Sequence, residues 1–164
     1  MRFGSPKQRI LLAPVLARLR AAETIDEVVV VLGAHEVETD ARTVQCPSWE
    51  LGPGASLRCG LAALGADTEA AVVVLVDGPD LNPAAVDRVV SAWRGGGAEI
   101  LAAGYDGQRG HPVLLTRSLW RRIPDEGARA LEPVLVPCDD LGPPGDVDFA
   151  DELPEWLQHP EAGQ

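Results

Sequence analysis

Two acidic segments, one histidine-bearing turn and two groups of basic and small residues are where this sequence could do chemistry. Asp77 closes the most apolar run of the chain, AVVVLV over 71–76, and is followed by Gly78, Pro79 and Asp80. A carboxylate at the mouth of a buried strand is preorganised to share a hard cation with phosphate oxygens, whereas a turn-forming aspartate is the plainer reading of the same position. Asp146 and Asp148 alternate in DVDFADEL, so an extended backbone would point both carboxylates to one side, and either could be a second metal ligand. Acidic residues near a chain end are also commonly just solvated.

At the amino end, RFGSPKQ places Arg2 and Lys7 around Gly4, Ser5 and a proline ahead of a helix, an arrangement that can hold phosphate oxygens. In GASLRCGL, Ser56 and Arg58 open a second helix whose free amides could face an anion, and capping explains Ser56 equally well. In GQRGHPVLL, Gly107, Arg109, Gly110 and His111 read as a tight turn leading into a strand, with His111 either touching substrate or simply packed. The Walker sequence, GxGxxG, GxSxG and HExxH are all absent, so the common nucleotide-loop, hydrolase and zinc-protease readings find no motif.

The elements that must position these residues follow from periodicity. Gln8–Ala22 carries leucines and valines at helical spacing, and EVVVVL over 27–32 is a β-branched run ending at Gly33. Arg42–Cys46 predicts a weaker strand and Ala55–Leu64 a helix; strand 71–76 then leads to a helix started by Asn82 and Pro83 and running to Trp93. Strands are expected at 99–103, 111–115, 134–136 and 146–148, and a last helix at 150–157. Alternating strands and helices predict a three-layer α/β fold, a mostly parallel sheet with helices on both faces. Ligands of such sheets sit beyond the carboxyl ends of the strands, so Gly33, Asp77 and the loop after Ala103 should converge on one crevice.

The chain has 164 residues, 46% of them apolar, enough for one core, and only one Tyr and two Phe beside four Trp, so Val, Leu, Ile and Ala must fill it. A formal net charge of −11 without a basic stripe argues against nucleic acid and anionic membranes as partners. Cys46, Cys59 and Cys138 form no CxxC pair and are expected to be reduced thiols. No apolar run is long enough to span a bilayer and the amino end lacks a signal-peptide stretch, so the expected location is cytoplasmic.

Taken in order, RFGSPKQ, VVVVLGA, WELGPGASLRCGL, VLVDGPDL, YDGQRGHPVLL, DEGARAL and DVDFADEL resemble the MobA-like NTP-transferase family, molybdenum cofactor cytidylyltransferases in particular. The resemblance implies a Rossmann-like fold of the GT-A kind in a single domain over 1–157, with a flexible tail at 158–164. It implies Mg2+-dependent transfer of a nucleotide from CTP or GTP to a phosphorylated pterin, with release of pyrophosphate, and a molybdoenzyme or cofactor-insertion protein as partner. Carried over by position, Asp77 is the metal-binding aspartate and Asp148, or else Asp146, the second acidic ligand. Arg2 and Lys7 hold the triphosphate beside Gly4 and Ser5; Gly33, Ala34, Ser56, Arg58 and Gly60 surround base and ribose; Arg109, Gly110, His111 and Pro112 face the second substrate, with 125–129 behind them.

The family begins with a hydrophobic strand and LAAGxSxRxG, whereas this chain starts at the Arg of that signature. The expectation is a fold lacking its first strand, either because the true start lies upstream of Met1 or because the chain is a degenerate, non-catalytic relative. A guanylyltransferase acting on a phospholactate-like acid is the alternative enzyme; GHPVLL and DEGAR favour the pterin branch.

Overall fold

The computed structural model describes residues 7–147 and 153–158. Helix α1 (Lys7–Arg20) buries Leu11, Leu12, Val15, Leu16 and Leu19 along one face and carries Pro14 within it. Strands β1 (Val29–Leu32) and β2 (Arg42–Gln45) pair in parallel. Helix α2 (Pro53–Ala63) follows, then β3 (Ala70–Val73) and α3 (Pro83–Gly96). As the sequence indicates, the Asn82 side chain caps α3 by accepting from the Ala84 amide at 3.0 Å, and Gly97 ends it with φ +68°, where glycine bears no Cβ penalty.

Strands β4 (Ile100–Tyr105), β5 (Gln108–Thr116) and β6 (Val134–Pro137) complete the sheet, and α4 (Glu155–Gln158) is a single turn. The four-stranded ladder runs β3-β5-β4-β6, with β5 antiparallel to both neighbours and β6 parallel to β4. The reversal is made by Asp106 and Gly107, whose φ values of 51° and 73° suit a two-residue Asp-Gly hairpin turn. Arg109 and Gly110, expected in a turn, therefore lie inside β5, ahead of the 111–115 stretch expected as strand.

Side chains alternate across this ladder and meet a helix on each face. Leu101, Ala103 and Tyr105 of β4 with Leu114 and Val136 pack on Ala85, Val89 and Val90 of α3. Ala102, Val113 and Leu115 point the other way, to Leu61 of α2 and to Leu119 and Ile123. Period-2 burial on both faces is what a sheet between two helical layers demands.

Strand β3 is shorter than its sequence. The ladder stops at Val73, opposite Val113, because the next residue across is Pro112, which has no N–H to donate. Val74, Leu75 and Val76 instead line a cavity of about 1220 Å3 that also meets Val29–Val31 of β1. Asp146 and Val147 join no ladder, so among the described residues the strand expected at 146–148 is not seen; Asp148 lies outside them. Nor are all cysteines free: Cys46, at the end of β2, is disulfide-bonded to Cys59 of α2, with Cα atoms 5.7 Å apart, and only Cys138 is a buried thiol. Sequence spacing missed the pair because the fold, not a motif, lays α2 over β2.

Candidate active site

The segment after β3 delivers Asp77 to the ends of the strands. Its carbonyl oxygen accepts from the Val147 amide at 2.9 Å, and the Asp80 amide donates to the Pro144 carbonyl at 2.9 Å, so 77–80 and 144–147 lie side by side. Gly78 permits this approach, since a Cβ there would sit 3.0 Å from Cβ of Pro144. Asp77 is half-buried and Asp146 exposed. The Trp156 indole N–H donates to Asp80 Oδ1 at 3.3 Å while the Arg18 guanidinium lies 5.3 Å from the indole ring centre, so α4 and α1 close on the same turn.

His111 lies within electrostatic reach of this corner. Burial pushes its pKa down, the Arg109 guanidinium adds to that, and the Asp77 carboxylate, near enough to act on the ring, opposes both. The His111 carbonyl accepts from the Tyr105 hydroxyl at 2.9 Å; burial first, then the neighbouring Cys138, raises that phenol to about 12, so it stays a donor. Tyr105 also lies across Gly110, where a Cβ would come within 2.7 Å of the ring. Arg109 donates to the carbonyls of Leu131 at 2.6 Å, Ala128 at 2.8 Å and Arg129 at 3.5 Å, so its guanidinium fastens 128–131 beside the His111–Pro112 step. The two segments that the resemblance assigns to the second substrate are thus joined through one side chain.

A second group surrounds the amino end of α2. Its amides are not open to an anion as the sequence suggested: Gly54 donates to the Asp125 carbonyl at 2.9 Å and Ala55 to Gly52 at 3.1 Å. Arg58 donates to the Ile123 carbonyl and to the Asp125 carboxylate, both at 2.8 Å. Gly60 lies where a Cβ would meet Cγ2 of Val31 at 2.6 Å, so it lets α2 close on β1, and Ser56 lines the cavity. At the end of β1, Gly33 lies under Trp49, whose Cβ and Cγ would both stand 3.2 Å from an added Cβ, and Gln45 Nε2 donates to the Gly33 carbonyl at 2.6 Å. Ala34 is exposed next to it. Trp49 opens the WELGPGASLRCGL segment but was not itself singled out from sequence. Arg2, Gly4 and Ser5 lie outside the described residues; Lys7 opens α1, and its side chain is not among those described.

Among the described residues no group of three or more His, Cys, Asp and Glu side chains could hold a metal ion by itself. Magnesium asks for less. It is commonly bound through one or two carboxylates, with water and substrate phosphates supplying the remaining oxygens. Asp77 and Asp146 lie on adjoining segments and carry oxygen donors of the kind such a site uses.

The pattern of the MobA-like NTP transferase domain matches residues 2–136, and the chain belongs to that family of nucleotidyltransferases. It is similar in structure to a homologue of Mycobacterium tuberculosis Rv0371c from Mycobacterium sp. strain JC1, with a TM-score of 0.75 and 25% identity over 96% of this chain and 89% of that one. Rv0371c of Mycobacterium tuberculosis H37Rv, in complex with manganese, gives 0.68 and 25% over 91% and 90%. The molybdopterin-guanine dinucleotide biosynthesis protein A of Archaeoglobus fulgidus shares the fold, at 0.64 and 14% identity over 96% and 90%. No curated protein matches the chain. No helix among the described residues is long and apolar enough to cross a membrane.

Proposed function

We propose that the chain transfers a nucleoside monophosphate from CTP or GTP to a phosphorylated pterin, molybdopterin, and releases pyrophosphate. A phosphate oxygen of the acceptor attacks the α-phosphorus, the bond from that phosphorus to the bridging oxygen breaks, and pyrophosphate leaves with the electron pair. Such transfers rely on in-line positioning and charge neutralisation rather than on an acid or base side chain. The observation that carries the reading is the pairing of the Asp77 and Asp146–Val147 segments next to His111 in a chain of this family.

In this reading Asp77 with Asp146 or Asp148 holds Mg2+, which neutralises phosphate charge when bound, while Arg2 and Lys7 bind the triphosphate with Gly4 and Ser5. Gly33, Ala34, Ser56, Arg58 and Gly60 form the wall around base and ribose. Arg109, Gly110, His111 and Pro112 form the wall facing the acceptor. Because the guanidinium donors of Arg109 are turned to main-chain carbonyls, and those of Arg58 to the Ile123 carbonyl and the Asp125 carboxylate, both act by positioning loops. A molybdoenzyme or insertion protein would receive the product.

Incubation with α-labelled CTP or GTP, magnesium and molybdopterin should yield a labelled dinucleotide with one nucleotide preferred. Label transferred only to a phospholactate-like acid would overturn the acceptor assignment, and no transfer to either would overturn the reading.

A further inference from the structure

The hairpin of β4 and β5 changes register beside the candidate site. Ala102 stands opposite Val113 but Gly104 stands opposite Arg109, so Gly110, His111 and Pro112 of β5 are set against Ala103 alone on β4. The surplus residues cannot be paired by the ladder, and a bulge of this kind bends its strand and re-aims the side chains on it. Pro112 has no N–H to leave unpaired, but the His111 carbonyl requires a donor.

Tyr105 supplies that donor. Its hydroxyl donates to the His111 carbonyl at 2.9 Å, and its ring lies where a Cβ on Gly110 would come within 2.7 Å of Cδ2 and Cε2. The residue is 9% exposed and packs with Leu101, Ala103 and Leu114 on the α3 side of the sheet, a space that phenylalanine would fill as well. Packing therefore accounts for the ring and leaves the hydroxyl to be explained by its bond to the bulge. The bulge is also anchored at both ends. Arg109, just before it, is fastened to the Ala128 and Leu131 carbonyls, and Val113, just after it, pairs with Val73 of β3, the strand that leads to Asp77. Tyr105 is the tie in the middle.

We infer that Tyr105 is a positioning residue of the candidate site, whose hydroxyl fixes the surplus stretch of β5 and so sets where His111 stands relative to the acceptor. The step from His111 to the acceptor rests on the function proposed above; the placement of His111 does not.

Tyr105→Phe tests both parts, because it removes the hydroxyl and keeps the ring. With CTP or GTP, magnesium and molybdopterin, it should raise KM for the acceptor about threefold to tenfold, the worth of one hydrogen bond, while kcat and KM for the nucleotide stay within about twofold. Diethyl pyrocarbonate, read by mass spectrometry of the separate histidine peptides, should modify His111 faster in this variant and His35 at its former rate. Gly110→Ala, which pushes the ring aside, should move both readouts the same way. Val89→Ala, a cavity in the core cluster that holds Tyr105, should lower Tm and move neither. Equal rises in both KM values, an unchanged KM for the acceptor, or an unchanged rate at His111 in Tyr105→Phe would overturn the inference, as would equal effects from Val89→Ala. If the unsubstituted protein transfers nothing to molybdopterin, the proposed function falls instead, and the modification rates still decide whether Tyr105 places His111.

Discussion

The Val147 amide donates to the Asp77 carbonyl at 2.9 Å, and this one hydrogen bond joins two acidic segments that lie 70 residues apart. If the two segments share a cation with nucleotide, Asp77→Asn and Asp146→Asn should each weaken Mn2+ binding in the presence of CTP or GTP by at least about tenfold, the lower range seen when even outer-shell partners of a metal are lost. Electron paramagnetic resonance of free Mn2+ reads the affinity, and circular dichroism should show both variants folded. An Asp77→Asn protein with unaltered Mn2+ affinity would remove that residue from the site.

Arg109 is a brace. Removing its side chain takes the guanidinium donor from the Leu131 carbonyl and leaves the Ala128 carbonyl with the Leu131 amide alone, in part-buried surroundings. Losing one partner of such a pair costs about 1–3 kcal/mol, so Arg109→Ala should lower the urea midpoint by a corresponding amount. Arg109→Lys, with a single point charge in place of a planar fork, should recover only part of it. Kinetically, both should raise KM for the acceptor more than for the nucleotide.

Gly54 reverses the usual helix rule. Alanine is favoured over glycine in a helix by about 0.5–1 kcal/mol, yet a Cβ at Gly54 would run into the carbonyl oxygen of Pro124 and crowd that of Asp125 at 2.7 Å. Gly54→Ala should therefore destabilise, by about 1–3 kcal/mol as overpacking does, and a thermal melt would show a lower Tm. A rise in Tm would mean that the 123–127 segment does not hold the amino end of α2.

His111 links folding to pH. Burial lowers its pKa below the ordinary 6.5, so as pH falls the unfolded chain takes up this proton before the folded one. Its contribution is fully present above pH 6.5 and is lost as pH falls through the depressed folded value. Urea unfolding between pH 7.5 and about 5 should show stability declining, less steeply in His111→Gln. Parallel slopes for the two proteins would mean that the imidazole is solvated.

Much of the fold is legible because it rests on local chemistry. Leu11, Leu12, Val15, Leu16 and Leu19 mark the buried face of α1, and Asn82 with Pro83 marks the start of α3. Strand direction is less legible, since alternation looks alike in parallel and antiparallel strands; Asp106-Gly107 was the readable hairpin signal. The early end of β3 depends on Pro112, 39 residues beyond Val73, and the Cys46–Cys59 bond on how α2 lies over β2. For the site, sequence offered Asp77 with Asp148 or Asp146 as an acidic pair and His111 as a neighbour of substrate, but not the main-chain bond that lays 77–80 beside 144–147. It gave Arg58 and Arg109 as ligand-facing cations, whereas their guanidinium groups are turned to main-chain carbonyls and, for Arg58, to the Asp125 carboxylate as well. Donors committed to main chain look no different in a sequence from donors aimed at a substrate.

Pyrophosphate release is the most direct test of the central claim. The purified chain, given magnesium, molybdopterin and CTP, GTP or ATP in turn, should release pyrophosphate with CTP or GTP, lose that release when magnesium is chelated, and lose it in Asp77→Asn. Release that survives both chelation and the substitution, or none with any nucleotide, would contradict the assignment of this chain as a magnesium-dependent nucleotidyltransferase acting through Asp77.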